Sequence, residues 1–201
     1  MKKKIILAST SSRRHSLLQQ IGLEFEVVAS NYEEDMTLDL PPAELAKTLA
    51  RGKALEVAER KKSGLIIGVD TFISLDGKKI GKPKDKKDAK KILRMISNRT
   101  LKIYSGIALI DAQNKEELLD HVITEVKMRK ITNQEIDSYI ATGEPLDKAG
   151  AFAIQGLGAV FVSRINGCYF NVMGLPLYRL AKDLQKMGID IFSYERWKNN
   201  F

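Results

Sequence analysis

Leu65-Ile66-Ile67-Gly68-Val69 is an unbroken apolar run set between Gly64 and Asp70. A run without polar alternation predicts a strand covered on both faces, and such a strand belongs in a sheet that carries helices. Phe72 to Leu75 continues the run, and Asp76-Gly77 then marks a hairpin turn. Asp70 follows the apolar residues directly, which predicts a carboxylate at the carboxyl end of a buried strand. Open α/β sheets put their ligand crevice there. The plainer reading of Asp70 is a turn cap shared with Thr71.

The flanking segments fit such a sheet. Ile5 to Ala8 reads as a short strand that stops at Ser9-Thr10-Ser11-Ser12, after which Arg13 and Arg14 open a helix to Ile21 with Leu17, Leu18 and Ile21 as its apolar stripe. Phe25 to Ala29 predicts a second strand, feeding the acidic turn Tyr32-Glu33-Glu34-Asp35. Pro41-Pro42 opens a helix to about Arg60, with Leu45, Leu49, Ala54, Leu55 and Ala58 on its buried side. Gly81-Lys82-Pro83 breaks the chain before a helix over Asp85 to Ser97. Leu101 to Asp111 and Leu118 to Lys130 read as long strands joined at Gln113-Asn114-Lys115. Thr132-Asn133-Gln134-Glu135 is a capping box, and Gly143 ends its helix. Ala159 to Ile165 and Cys168 to Asn171 are predicted to pair across Asn166-Gly167. Pro176 starts a last helix that Gly188 closes, leaving 192–201 as an aromatic tail. Alternating strands and helices followed by long antiparallel strands imply an α/β fold, a mixed sheet flanked by helices, within one 201-residue domain of two lobes.

Charge narrows the partners. The net charge is +8, and between Asp76 and Arg94 nine basic residues face three aspartates. Such a patch could hold nucleic acid or steer a polyphosphate, but no aromatic residues are interleaved to stack on bases. Nucleic acid is therefore the weaker reading, and a solvated lysine-rich helix face is the plain one. No stretch approaches the roughly 18–20 apolar residues that span a bilayer. Cys168 is the single cysteine, which excludes an intrachain disulfide and points to a reducing, cytoplasmic setting.

The residues that carry chemistry are separated in sequence. A strand ending in hydroxyl residues and turning into a helix aims backbone N–H groups and the positive helix end at one spot, where the Arg13 and Arg14 forks could grip phosphate. The alternative there is a capped helix with solvated arginines. Asp70 could hold Mg²⁺ or take a proton from water, and Glu33 and Glu34 offer a second carboxylate. Lys53, within a helix, and Lys82, beside Gly81, are point-charge partners for phosphate or simply surface lysines. Pro145 to Gly150 and Ala153 to Gly156 form a glycine-punctuated loop in which the Gln155 amide could read the edge of a base. His15, His121 and Cys168 lie apart, and neither a P-loop, a dinucleotide glycine fingerprint nor a nucleophile elbow is present.

Taken in order, Leu7-Ala8-Ser9-x-Ser11-x-Arg13-Arg14, Glu33-Glu34, Lys53-Ala54, Gly68-x-Asp70-Thr71, Gly81-Lys82-Pro83, Asp147-Lys148-Ala149-Gly150-Ala151, Ile154-Gln155-Gly156 and Val172-Met173-Gly174-Leu175-Pro176 resemble the Maf family of nucleoside triphosphate pyrophosphatases. The resemblance implies hydrolysis of a nucleoside triphosphate to the monophosphate and pyrophosphate with a divalent cation, Mg²⁺ first and Mn²⁺ or Co²⁺ as substitutes. It implies two lobes around a deep cleft, as in inosine triphosphatase-like folds, often in a homodimer. By motif position it gives the phosphates to Ser9, Arg13, Arg14, Lys53 and Lys82, and places Asp147 and Lys148 with the substrate. It makes Glu34 and Asp70 the metal and water ligands, with Asp70 the proton acceptor, and sets Thr71 and Gln155 where the base is read. Asp70-Thr71 resembles the branch acting on dTTP and UTP; the alternative within the family is a modified or purine nucleotide such as 7-methyl-GTP. A role in cell division is associated with the family and is not visible in these residues.

Two positions depart from the pattern. Ser12 stands where the family usually has Pro, which removes a preset φ and offers a capping hydroxyl. Val69 replaces a usual Ala beside Asp70.

Overall fold

The computed structural model describes residues 3–35 and 37–193. In chain order the elements are β1 (Ile5–Leu7), α1 (Ser12–Gln20), β2 (Glu26–Val27), α2 (Pro42–Lys61), β3 (Leu65–Leu75), β4 (Lys78–Ile80), α3 (Lys86–Ile96), β5 (Thr100–Asp111), β6 (Glu117–Met128), α4 (Asn133–Ala141), β7 (Val162–Asn166), α5 (Tyr169–Met173) and α6 (Leu177–Lys186). The strands form a mixed seven-stranded sheet in the order β2-β1-β3-β5-β6-β7, with β4 on β3. The aromatic tail from Tyr194 onward lies outside the described residues. Among the described residues no helix is long and apolar enough to cross a membrane.

The chain divides into two compact units. The first comprises residues through Thr71, Ser105–Val122, and the chain from Gly174. In it β1 runs parallel to both neighbours, with Ile6 opposite Glu26 and Leu7 opposite Ile67. Ile6, Ile66, Ala108 and Ile110 pack against Ala50, Ala54, Val57 and Ala58 of α2. This helix lies very close to the sheet: a Cβ on Gly68 would fall 2.3 Å from the Ala50 carbonyl oxygen, and one on Gly106 2.0 Å from that of Ala46. Only glycine permits that approach.

The second unit comprises Phe72–Tyr104 and Ile123–Met173. Its core joins Ile92 and Leu93 of α3, Ile103, Val126, and Ile136 and Tyr139 of α4. The expected hairpin is present, with Leu75 opposite Lys78. The capping box is also present, Thr132 and Glu135 each satisfying the other's backbone N–H.

Three local expectations are corrected. β3 continues unbroken to Leu75, as the run through Phe72–Leu75 predicted, so Asp70 sits inside the strand and not at its carboxyl end. A ladder uses backbone groups and tolerates a buried carboxylate once a cation pairs it, so the turn-cap reading of Asp70-Thr71 also falls. The pairing across Asn166-Gly167 is absent. Leu157–Phe161 is a 3₁₀ turn, β7 pairs instead with β6, and Tyr169–Met173 is helical. The Thr124 hydroxyl holds that turn by accepting from the Cys168 N–H (3.1 Å), and the Asn171 amide reaches Thr124 Oγ1 (2.9 Å) and the Ile103 carbonyl (3.2 Å). Finally, α1 has no side-chain cap: Ser12 is already helical, and Ser11 makes no capping bond.

Candidate active site

The close seat of α2 on Gly68 sets the register that matters. Successive strand residues leave opposite faces, so Asp70, two residues beyond Gly68, points to the α2 side and Thr71 away from it. Asp70 is 5% exposed. Its charge is met by Lys53 of α2, whose Nζ lies 2.6 Å from Asp70 Oδ1 and 2.7 Å from Glu34 Oε1. Glu34 reaches this point because its loop is tied to α2. Asn31 N–H donates to Glu56 (3.0 Å), Tyr32 N–H to Ser30 Oγ (3.1 Å), and the Tyr32 ring lies against Gly52.

Beyond Leu7 the chain leaves β1 while β3 continues, so β1 accompanies β3 only as far as Ile67. The Ser9–Arg14 turn follows at that end of the pair. Arg14, half-buried, donates from Nε to the Gly174 carbonyl (3.0 Å), from Nη1 to Ser9 Oγ (3.0 Å) and from Nη2 to Thr71 Oγ1 (3.4 Å). Three of its N–H donors are thus used for orientation, and the rest remain for an anion. Burial pushes the guanidinium below its ordinary value; Asp70 pulls it back up and Arg13 pulls it down. It stays a cation regardless. Ser9 Oγ thus accepts from Arg14 and also from the Ser11 N–H (3.3 Å). Arg13 is exposed on the first turn of α1.

The structure brings together Ser9, Arg14, Thr71, Asp70, Lys53 and Glu34 within the first unit. It adds two groups that the sequence reading missed, Ser105 and the Gly174 carbonyl. Ser105 is fully buried with Oγ 2.7 Å from Thr71 Oγ1. The available signal was a small hydroxyl residue placed directly before the apolar run Gly106–Ile110. The Gly174 carbonyl belongs to a backbone with φ +110°, and side-chain reasoning cannot see such an acceptor.

Lys82, Asp147, Lys148 and Gln155 belong to the second unit. Gly150 N–H donates to the Gly81 carbonyl (3.0 Å), which ties the Lys82 turn to the Asp147–Gly150 segment. Lys148 pairs with Asp147, while Lys82 and Gln155 are exposed. In the basic patch, Lys90 pairs with Asp137 (2.5 Å) and Arg94 donates to Asn133 (2.9 Å), so part of it is already engaged.

The Glu34–Asp70 pair suits a divalent cation. The Lys53 ammonium sits on an oxygen of each carboxylate and is itself a stand-in cation. The donors are hard oxygens, as Mg²⁺ and Mn²⁺ prefer. No cluster of three or more acidic, His or Cys side chains assembles among the described residues, so water and substrate oxygens would have to complete a shell.

Comparison with known proteins places nearly the whole chain. A dTTP/UTP pyrophosphatase from Methanosarcina barkeri is 47% identical over 191 residues, covering 94% of this chain and 97% of the relative. One from Dictyoglomus turgidum is 45% identical over 192 residues, covering 95% and 100%. The solved structure of a HAM1 protein from Coxiella burnetii is 16% identical, covers 92% of this chain and 100% of its own, and aligns with a TM-score of 0.48. The family described as Maf-like protein matches residues 4–187, and the chain belongs to that family.

Proposed function

We propose that this protein hydrolyses dTTP and UTP to the nucleoside monophosphate and pyrophosphate. The observation that carries the reading is the buried Asp70 carboxylate, paired with Lys53 and facing the charge of Arg14 at the carboxyl end of the β1–β3 pair. The relatives at 45–47% identity, named for this activity, support the choice of substrate.

Water attacks the α-phosphorus, its proton passes to Asp70, and the bond from that phosphorus to the bridging oxygen breaks to release pyrophosphate. Arg14, Arg13, Lys53 and Lys82 bear the charge that builds on the phosphate oxygens, and Ser9 keeps Arg14 aimed at them. A divalent cation on Glu34 and Asp70, Mg²⁺ or its substitutes Mn²⁺ and Co²⁺, would add charge stabilisation and make water a stronger nucleophile. Thr71 and Gln155 contact the base, with Asp147 and Lys148 nearby in the substrate site. A homodimer belongs to the same proposal on family resemblance, and a cytoplasmic setting on the single thiol of Cys168.

The test is pyrophosphate release from a panel of nucleoside triphosphates with Mg²⁺ and with Mn²⁺. dTTP and UTP should lead the panel. Asp70→Asn should lower kcat by about 100- to 10,000-fold, the share of a positioned proton acceptor. Lys82→Ala should raise KM or lower kcat/KM. Near-wild-type turnover by Asp70→Asn would remove Asp70 as the base.

A further inference from the structure

We propose that Glu144 and Tyr139 are positioning residues that hold Gln155 in register for the base of the substrate, a proposal that rests on reading Gln155 as a base contact. The geometry is a bracket within the second unit. Gly143, with φ +80°, ends α4 and turns Glu144 back toward that helix. Glu144 Oε1 accepts from the Tyr139 hydroxyl (2.7 Å) and from the Gly158 N–H (3.0 Å). Its Oε2 accepts from the Leu157 N–H (2.9 Å). The Tyr139 hydroxyl in turn accepts from the Ala153 N–H (3.2 Å). The backbone is therefore gripped just before and just after Ile154-Gln155-Gly156, and both grips meet at one hydroxyl–carboxylate contact.

The segment between the grips is short and closed on itself, Gly156 N–H donating to the Ala153 carbonyl (3.3 Å). It passes directly over the carboxylate, since a Cβ on Gly156 would fall 2.3 Å from Glu144 Oε2. Gln155 is exposed, whereas Tyr139 is 4% exposed and Gly158 is buried. A rigid backbone under an exposed amide is what base discrimination requires, because a displacement of the order of an ångström is enough to lose a hydrogen bond.

The protonation states suit the bracket. Burial pushes the Glu144 carboxyl up, but the Gly158 N–H, the Tyr139 hydroxyl and the Leu157 N–H together hold it below its ordinary value. Burial and the neighbouring Glu144 charge push the Tyr139 hydroxyl up, so it remains a donor. Both oxygens of an ionised carboxylate are acceptors, and charge-assisted bonds are the strong ones. In Glu144→Gln one acceptor becomes a donor that faces an N–H or O–H, so the bracket opens at one grip without loss of volume.

A double-mutant cycle on selectivity tests this with the full chain. For wild type, Gln155→Ala, Glu144→Gln, Tyr139→Phe and Gln155→Ala/Glu144→Gln, kcat/KM is measured for dTTP, UTP, CTP and GTP. Glu144→Gln should lower kcat/KM for dTTP and UTP by about tenfold, one charge-assisted bond, while that for GTP stays near wild type. Tyr139→Phe, which keeps the ring packing, should move selectivity in the same direction. In the Gln155→Ala background Glu144→Gln should change selectivity no further, because the residue it positions is gone. A purely structural clamp would instead lower turnover of all four nucleotides alike, and that result overturns the proposal. Full additivity of the two substitutions overturns it as well. If Gln155→Ala alters selectivity while Glu144→Gln and Tyr139→Phe leave it unchanged, the positioning role alone fails. If Gln155→Ala itself keeps wild-type selectivity, the base-contact reading fails and takes the positioning role with it.

Discussion

Lys53 Nζ lies 2.6 Å from Asp70 Oδ1, and the same ammonium lies 2.7 Å from Glu34 Oε1. One positive charge thus offsets two carboxylates, one of them almost wholly buried. Lys53→Met keeps the stem and deletes the charge, leaving Asp70 without its ion pair at a cost of about 3 kcal/mol. Urea unfolding should show a lower midpoint at unchanged slope. Mn²⁺ should restore much of the loss, and calorimetry without nucleotide should find Mn²⁺ bound more tightly than by wild type, because the competing ammonium is gone. Equal stability and equal Mn²⁺ affinity in the two proteins would refute the compensation.

Gly52 faces a contest between helix propensity and packing. Alanine in a helix interior is favoured over glycine by about 1 kcal/mol. A Cβ there would fall 2.3 Å from Tyr32 Cζ, and overpacking costs about 1–3 kcal/mol. Packing should win, with the Tyr32 ring lifted off α2 and Glu34 drawn away from Lys53. Gly52→Ala is expected to melt lower than wild type and to need more Mg²⁺ for half-maximal activity. Tyr32→Ala should show the same Mg²⁺ requirement, whereas a Gly52→Ala protein that melts higher would show that the ring swings aside freely.

Ser105→Ala removes the hydroxyl 2.7 Å from Thr71 Oγ1 in a fully buried setting. One neutral hydrogen bond is worth about 1 kcal/mol, or a fall of about 2–4 °C in Tm for a chain of this size. Ser105→Thr should retain most of it. Differential scanning calorimetry of the two variants decides, and an unchanged Tm in Ser105→Ala would place Thr71 outside Ser105's control.

Glu135 makes stability acid-sensitive. Hydrogen bonds from Arg129, and then from the backbone and hydroxyl of Thr132, lower its carboxyl from 4.5 to about 2. Because the folded value lies below the unfolded one, the unfolded chain takes up the proton first as pH falls. The contribution is complete above the unfolded value and is lost as pH falls toward about 2. The stability gap between wild type and Glu135→Gln should therefore be flat near neutrality and close across that acid window. A gap that persists unchanged at the acid end, measured by urea unfolding at each pH, would contradict the linkage.

Local signals survived folding where local bonds decide. The Thr132–Glu135 capping box and the Asp76-Gly77 hairpin are made by residues within a few positions of each other, so the sequence by itself determined them. The same holds for the helix starting at Pro42 and for the apolar run of β3, whose burial on both faces demanded a helix such as α2. The motif order also singled out Ser9, Arg14, Glu34, Lys53, Asp70 and Thr71, which the fold brings near one another, whereas Arg13 stays exposed on α1.

What only the tertiary structure decided are contacts between distant residues. Asn166-Gly167 carries a turn signal, yet Thr124 captures Cys168 and Asn171 from more than forty positions away, so the following segment coils into α5. Asp70 interrupts an apolar pattern that resumes at Phe72, and only the fold shows that Lys53 pairs it within the continuing strand. Arg14 is aimed by the carbonyl of Gly174, 160 positions downstream. Sequence pattern records which side chains want burial or charge; it holds no record of which backbone carbonyl, or which cation on another element, will satisfy them. That partner choice depends on how closely α2 seats on Gly68 and Gly106, a matter of three-dimensional packing.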